Sequence, residues 1–147
     1  MDIREILLPP GLFGYSSRVK YLGVDFGEKR IGLATSDASG LLATPRLSIR
    51  RQSDQTAIEA IAAFCREEEV EGIVLGLPLQ RDGAESPVAP RVRAFARRLG
   101  LRLELPVAFV NEHLTTAEGR QRFGPAADAD AGAAAVILDE FLASTAR

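Results

Sequence analysis

Cysteine occurs once in this 147-residue chain, as Cys65, and that scarcity removes two classes of protein at the outset. No internal disulfide can form and no multi-cysteine zinc site can be assembled, an inventory that predicts a cytoplasmic protein in a reducing environment. Long apolar runs are also missing: none approaches the ~20 residues that cross a bilayer, so no membrane partner is expected. The opening Met1-Asp2-Ile3-Arg4-Glu5 has no basic lead-in, and Leu7-Leu8-Pro9-Pro10 stops too soon for a secretory signal. Positive charge is not in excess, since 18 Lys+Arg stand against 20 Asp+Glu for a formal net charge of -2. Any nucleic-acid partner must therefore be held by a local basic patch, because the average charge repels phosphate. What is present is ordinary for a globular protein: 46% hydrophobic and 26% charged residues, in a length that suits one domain with a real core.

Residues 1–18, with their Pro and Gly, read as a loosely ordered N-terminal tail, and 19–147 as a single domain. Residues 20–26 and 31–36 read as strands joined by the turn Gly27-Glu28-Lys29-Arg30, and 41–49 as a third strand in which Pro45 favours an edge or bulge. Ser53 or Asp54 can cap a helix whose Ile58, Ile61, Ala62 and Cys65 follow helical spacing. The continuous apolar run at 73–77 reads as a central parallel strand. Ser86-Pro87 then reads as N-cap and first residue of a second helix, with Pro90 competing for that boundary. Its buried stripe is Val88, Val92, Phe95 and Leu99, with Arg91, Arg93, Arg97 and Arg98 on other faces. Residues 107–110 form another buried strand and 130–142 a final helix. The order is a three-strand meander followed by alternating helices and strands, which is a mixed α/β sheet covered by helices.

Within the first strand, Leu22, Val24 and Phe26 alternate with Tyr21, Gly23 and Asp25, so Asp25 points away from the apolar set. A carboxylate in such a setting is costly unless it is hydrogen-bonded, charge-paired or bound to a metal. Glu112 follows the apolar strand ending at Val110, at the carboxyl end where open α/β sheets bind ligands. Asp130 opens the last helix with Asp128 just before it, and the small residues that follow would let that helix pack close to the sheet. Each acid also has a plain structural role: turn hydrogen bonding for Asp25, a surface position near a helix start for Glu112, and an N-cap for Asp128 or Asp130. If the three acids converge, they suit a hard divalent cation, which prefers oxygen ligands.

Four motifs, in order, resemble the YqgF family. They are Leu22-Gly23-Val24-Asp25-Phe26-Gly27-Glu28-Lys29-Arg30-Ile31-Gly32, Gly76-Leu77-Pro78-Leu79 with Asp82-Gly83, Asn111-Glu112-His113-Leu114-Thr115-Thr116, and Asp130 ahead of Ala133-Ala134-Ala135-Val136-Ile137-Leu138. The resemblance implies a ribonuclease-H-like fold with helices on both faces of the sheet. It also implies phosphodiester hydrolysis assisted by Mg2+ or Mn2+, with Asp25, Glu112 and Asp130 as catalytic and metal-binding residues and no organic cofactor. Lys29, Arg30, Arg81 and Arg91 are the candidate nucleic-acid contacts. The implied partners are RNA or DNA and pre-ribosomal particles, for a monomer or homodimer. Three tasks fit: maturation of the 5′ end of pre-16S rRNA, resolution of four-way DNA junctions, or a non-catalytic RNA-binding role on the same fold. Two departures stand out. Asn111-Glu112-His113 replaces the family's usual Asp-Glu-Arg, exchanging a phosphate-clamping guanidinium for a titratable ring. Between Thr116 and Asp130 the chain is short and acidic, where relatives carry a longer, lysine-bearing loop.

Overall fold

Alternation in the central strands decides the layering. In the computed structural model, which describes residues 3–7, 19–37, 39–112 and 128–145, one six-stranded sheet carries helices on both faces. In chain order the elements are β1 (Ile3–Leu7), β2 (Tyr21–Phe26), β3 (Arg30–Ser36), β4 (Ala43–Arg50), α1 (Asp54–Glu68), β5 (Gly72–Pro78), α2 (Ala89–Leu103), β6 (Val107–Glu112) and α3 (Ala129–Thr145). Across the sheet the strands run β1-β6-β5-β2-β3-β4. The β2–β3–β4 meander is antiparallel, β5 and β6 lie parallel to β2, and β1 closes the far edge antiparallel to β6.

One sheet face presents Leu22, Val24, Ile31, Leu33, Ile73, Leu75, Leu77 and Phe109 to α1 and α2. The other presents Tyr21, Ala34, Val74, Ala108 and Val110 to Ala134, Ile137, Leu138 and Phe141 of α3. A period of two in the strands therefore sends Asp25 to the α3 side, as the sequence pattern requires. Helix α1 starts with a reciprocal cap: Ser53 Oγ accepts from the Thr56 amide and the Ser53 amide donates to Thr56 Oγ1. Pro45 sits on the edge strand, where the β3–β4 register slips between Leu33 and Ala34.

Two expectations are corrected. Within the segment read as a tail, Ile3–Leu7 form β1, paired with Val107–Val110. Five residues of backbone pairing at an open sheet edge leave little mark in a sequence flanked by Pro9-Pro10. Helix α2 starts at Ala89, with Pro90 in its first turn, rather than at Pro87. Proline lacks an N–H and is tolerated there, where that donor has no helical partner. Ser86 instead closes the preceding turn, its Oγ accepting from the Val88 amide at 3.0 Å. Val88 consequently leaves the buried stripe, which is Ala89, Val92, Phe95, Ala96 and Leu99.

Candidate active site

Asp25 stands on β2 directly opposite Gly32 of β3. Its position beside α3 follows from that glycine. A Cβ at Gly32 would lie 1.9 Å from the Asp130 carbonyl oxygen, and one at Gly23 would lie 2.7 Å from the Ala134 carbonyl oxygen. Two side-chain-free positions on adjacent strands thus form a seat for the first turns of α3, and Asp130 is delivered beside Asp25. An isolated glycine inside Ile31-Gly32-Leu33 is the sequence signal for this close approach, and the sequence reading passed over it.

Asp130 is free for chemistry because another residue caps the helix. Asp128 Oδ1 accepts from the Asp130 and Ala131 amides at 2.9 and 3.0 Å, and its carbonyl accepts from the Gly132 amide at 2.8 Å. Its second oxygen, Oδ2, accepts from Ser48 Oγ of β4 at 2.6 Å, tying the start of α3 to the sheet. Burial pushes Asp128 up, but the Ser48 hydroxyl, the two amides and the Arg30 charge outweigh it and hold the carboxyl below its usual value. Asp128→Ala is therefore expected to cost about 1 kcal/mol of stability through the lost cap. A chemical-denaturation midpoint reads this loss, and Ser48→Ala should give a smaller shift of the same sign.

Glu112, at the end of β6, is buried on the same sheet face, two residues beyond Val110. Its Cβ would lie 3.3 Å from one built on Gly76, and Gly76 follows Leu75, the β5 partner of Val24. The backbone carbonyl of Glu112 is held by the Leu79 amide at 2.9 Å. The structure thus pairs Asp25 with Asp130 and sets Glu112 as a flanking acid above Gly76. Among the described residues, no three His, Cys, Asp or Glu side chains gather closely enough to hold an ion as they stand.

The pair is electrostatically unsatisfied. Burial and the neighbouring Asp130 charge push Asp25 from 3.8 up to about 6. Relief is slight, since Arg30 Nη1 is 4.0 Å from Asp130 Oδ2 and its side chain is 69% exposed. Among the described residues this hard-oxygen pair is short of positive charge, a setting that fits a divalent cation.

The other candidate contacts are scattered. Lys29 and Arg30 lie exposed at the β2–β3 turn. Arg81 is exposed on the 79–85 loop, which Leu79 and Glu85 close by a β-bridge at the carboxyl end of β5. Arg91 lies on the opposite sheet face from the acids, 3.7 Å from Asp54 Oδ1. His113, Thr115, Thr116 and the short segment before Asp128 lie outside the described residues. Asn111, beside Glu112, has a buried Oδ1 with no hydrogen-bond partner among the described residues.

The strand order, the helices on both faces and the acids at the carboxyl end of β2 and β6 define an RNase H-like α/β protein. A solved T. thermophilus RuvC in complex with a Holliday junction substrate shares this fold at TM-score 0.59 and 12% identity. The match covers 86% of this chain and 94% of that one. A second T. thermophilus RuvC structure matches at TM-score 0.52, 12% identity and coverage of 86% and 95%. The family model described as "RuvX: Holliday junction resolvase" matches residues 19–144. A Crocosphaera subtropica protein named as a pre-16S rRNA nuclease is 43% identical over 101 residues, 69% of this chain and 71% of its own length. A Rippkaea orientalis protein of the same name is 38% identical over 135 residues, 86% of this chain and 97% of its own. The chain belongs to the RuvX, or YqgF, family of nucleases.

Proposed function

We propose that this protein hydrolyses phosphodiester bonds of precursor 16S rRNA at its 5′ end, using Mg2+ or Mn2+ held by Asp25 and Asp130 with Glu112 as a third ligand. The observation that carries the reading is the Asp25–Asp130 pair, two carboxylates forced together where a cation would neutralise both. When bound, divalent ions lower the pKa of an attacking water and stabilise the leaving oxygen. The chain's own residues do the positioning. Asp25 supplies the central oxygens from a rigid strand, Asp130 is fixed by the Asp128 cap, and Glu112 closes the site from β6. Arg30, exposed and 4.0 Å from Asp130, meets a phosphate next to the bond being cut. The substrate is taken from the names of the relatives, and the cytoplasm is the compartment it requires.

The test is purified protein with Mg2+ or Mn2+, offered pre-16S rRNA, unstructured single-stranded RNA and a four-way DNA junction in parallel. Cleavage of the precursor at its 5′ flank, absent with Asp130→Asn, is the expected result. Preferential cutting of the junction would transfer the reading to DNA resolution, and metal-independent cutting would refute the carboxylate mechanism. Metal binding has its own readout: Mg2+ at 100 times its Kd adds about 2.7 kcal/mol of stability, seen as a higher Tm.

A further inference from the structure

On the sheet face away from the acids, three guanidiniums converge on one carboxylate. Arg51 Nε lies 3.0 Å and Arg91 Nη2 3.7 Å from Asp54 Oδ1, while Arg98 Nη1 lies 3.6 Å from Asp54 Oδ2. Asp54 Oδ1 is buried and makes charge contacts without a directed hydrogen bond. One acid opposed by three cations leaves a surplus of two positive charges at this point, in a chain whose net charge is -2.

The three arginines are not equivalent. Arg51 is mostly buried and structural: its amide donates to the Lys29 carbonyl at 2.8 Å and its Nη1 to the Glu28 carbonyl at 3.2 Å, bracing the β2–β3 turn. Arg91 and Arg98 are half exposed, and their contacts to Asp54 are longer than hydrogen bonds; Arg98 Nη2 also donates to Gln55 Oε1 at 3.2 Å, and the remaining guanidinium donors can turn to a phosphate. The Phe26 ring anchors the cluster, with Arg51 and Arg91 at 5.6 and 5.8 Å from its centroid. Phe26 is the residue next to Asp25, turned to the other face. The cluster and the carboxylate pair therefore share the carboxyl end of β2, one on each side of the sheet.

The geometry points to Arg91 and Arg98 as a phosphate-binding subsite that grips the nucleic-acid chain away from the bond being cut, with Asp54 holding the two guanidiniums spread and ready. The inference rests on the nucleic-acid reading above. It supplies the local basic patch that the overall charge requires, and guanidinium forks suit phosphate oxygens. A bound strand that crosses the end of β2 reaches both sides.

The test is binding of a labelled single-stranded RNA in EDTA, where no cleavage occurs, so its outcome does not depend on the protein being a nuclease. Arg91→Gln/Arg98→Gln is expected to weaken binding about tenfold. It should also flatten the dependence of log affinity on log salt by about 1.4, the value for two lost single-strand phosphate contacts. Arg66→Gln, which removes an exposed arginine at the other end of α1, leaves both quantities unchanged. Asp54→Asn, which frees the cations, tightens binding. Unchanged affinity in the double variant, or weaker binding in Asp54→Asn with an unaltered melting temperature, would overturn the assignment. Competition by an acidic peptide as effective as by the oligonucleotide would overturn it too.

Discussion

Asp25→Asn is expected to cut nothing and yet to melt later than the natural protein. Loss of the central oxygen ligand should lower cleavage by at least about 10³-fold, equivalent to roughly 4 kcal/mol of transition-state stabilisation. The stability gain follows from linkage. Asp25 is raised from 3.8 to about 6 by burial and by Asp130, so between those pH values the folded chain holds a proton that the unfolded chain has released. Stability from this group is therefore full below about pH 4 and falls as pH rises to about 6, where the penalty levels off. At neutral pH the penalty is about 2–3 kcal/mol. An amide of the same shape does not ionise and escapes it, raising Tm by roughly 4–10 °C in metal-free buffer. At pH 4 the difference should vanish. Mg2+ should close the gap at neutral pH by stabilising only the natural protein. A variant that melts earlier at pH 7, or that still cleaves, would remove Asp25 from the centre of the site.

Gly32→Ala should be the most damaging added methyl among the described glycines of the sheet. Its Cβ would meet the Asp130 carbonyl oxygen at 1.9 Å, the Asp130 carbonyl carbon at 2.2 Å and the Ala131 nitrogen at 2.8 Å. All three are backbone atoms, so no side-chain rotation relieves the clash and the first turn of α3 must lift. Overpacking of this kind costs about 1–3 kcal/mol or more. Because Asp130 moves with the turn, cleavage should fall about 10²-fold even well below the melting temperature, as misplacement by ~1 Å commonly does. The retreat of Asp130 also removes one of the two influences that raise Asp25, so its carboxyl should titrate lower, which carboxyl NMR can follow. Full activity in a folded Gly32→Ala protein would mean that α3 does not seat on β3 as described.

Much of this architecture was legible because its signals are local. Alternation through Leu22, Val24 and Phe26 fixed which way Asp25 faces, and the apolar run at 73–77 marked β5 as a central strand. Ser53 announced α1, and Pro45 announced the irregular edge. The errors lay where the chain carries competing signals. Ser86-Pro87 offered one helix start and Pro90 another, and the turn hydrogen bond of Ser86 settled the matter. β1 was hidden because edge pairing needs a partner strand from the other end of the chain.

By itself the sequence determined the order of elements from β2 onward and the faces of the strands, because periodicity and turn chemistry act between near neighbours, and it named Asp25, Glu112 and Asp130 as candidates. Only the tertiary structure decided which of Asp128 and Asp130 caps the helix, that Gly32 seats Asp130 against Asp25, and that Arg91 belongs with Asp54 rather than with the acids. Those are through-space relations between residues far apart in the chain, and they exist only once α3 has packed into the groove that the missing side chains of Gly23 and Gly32 leave open.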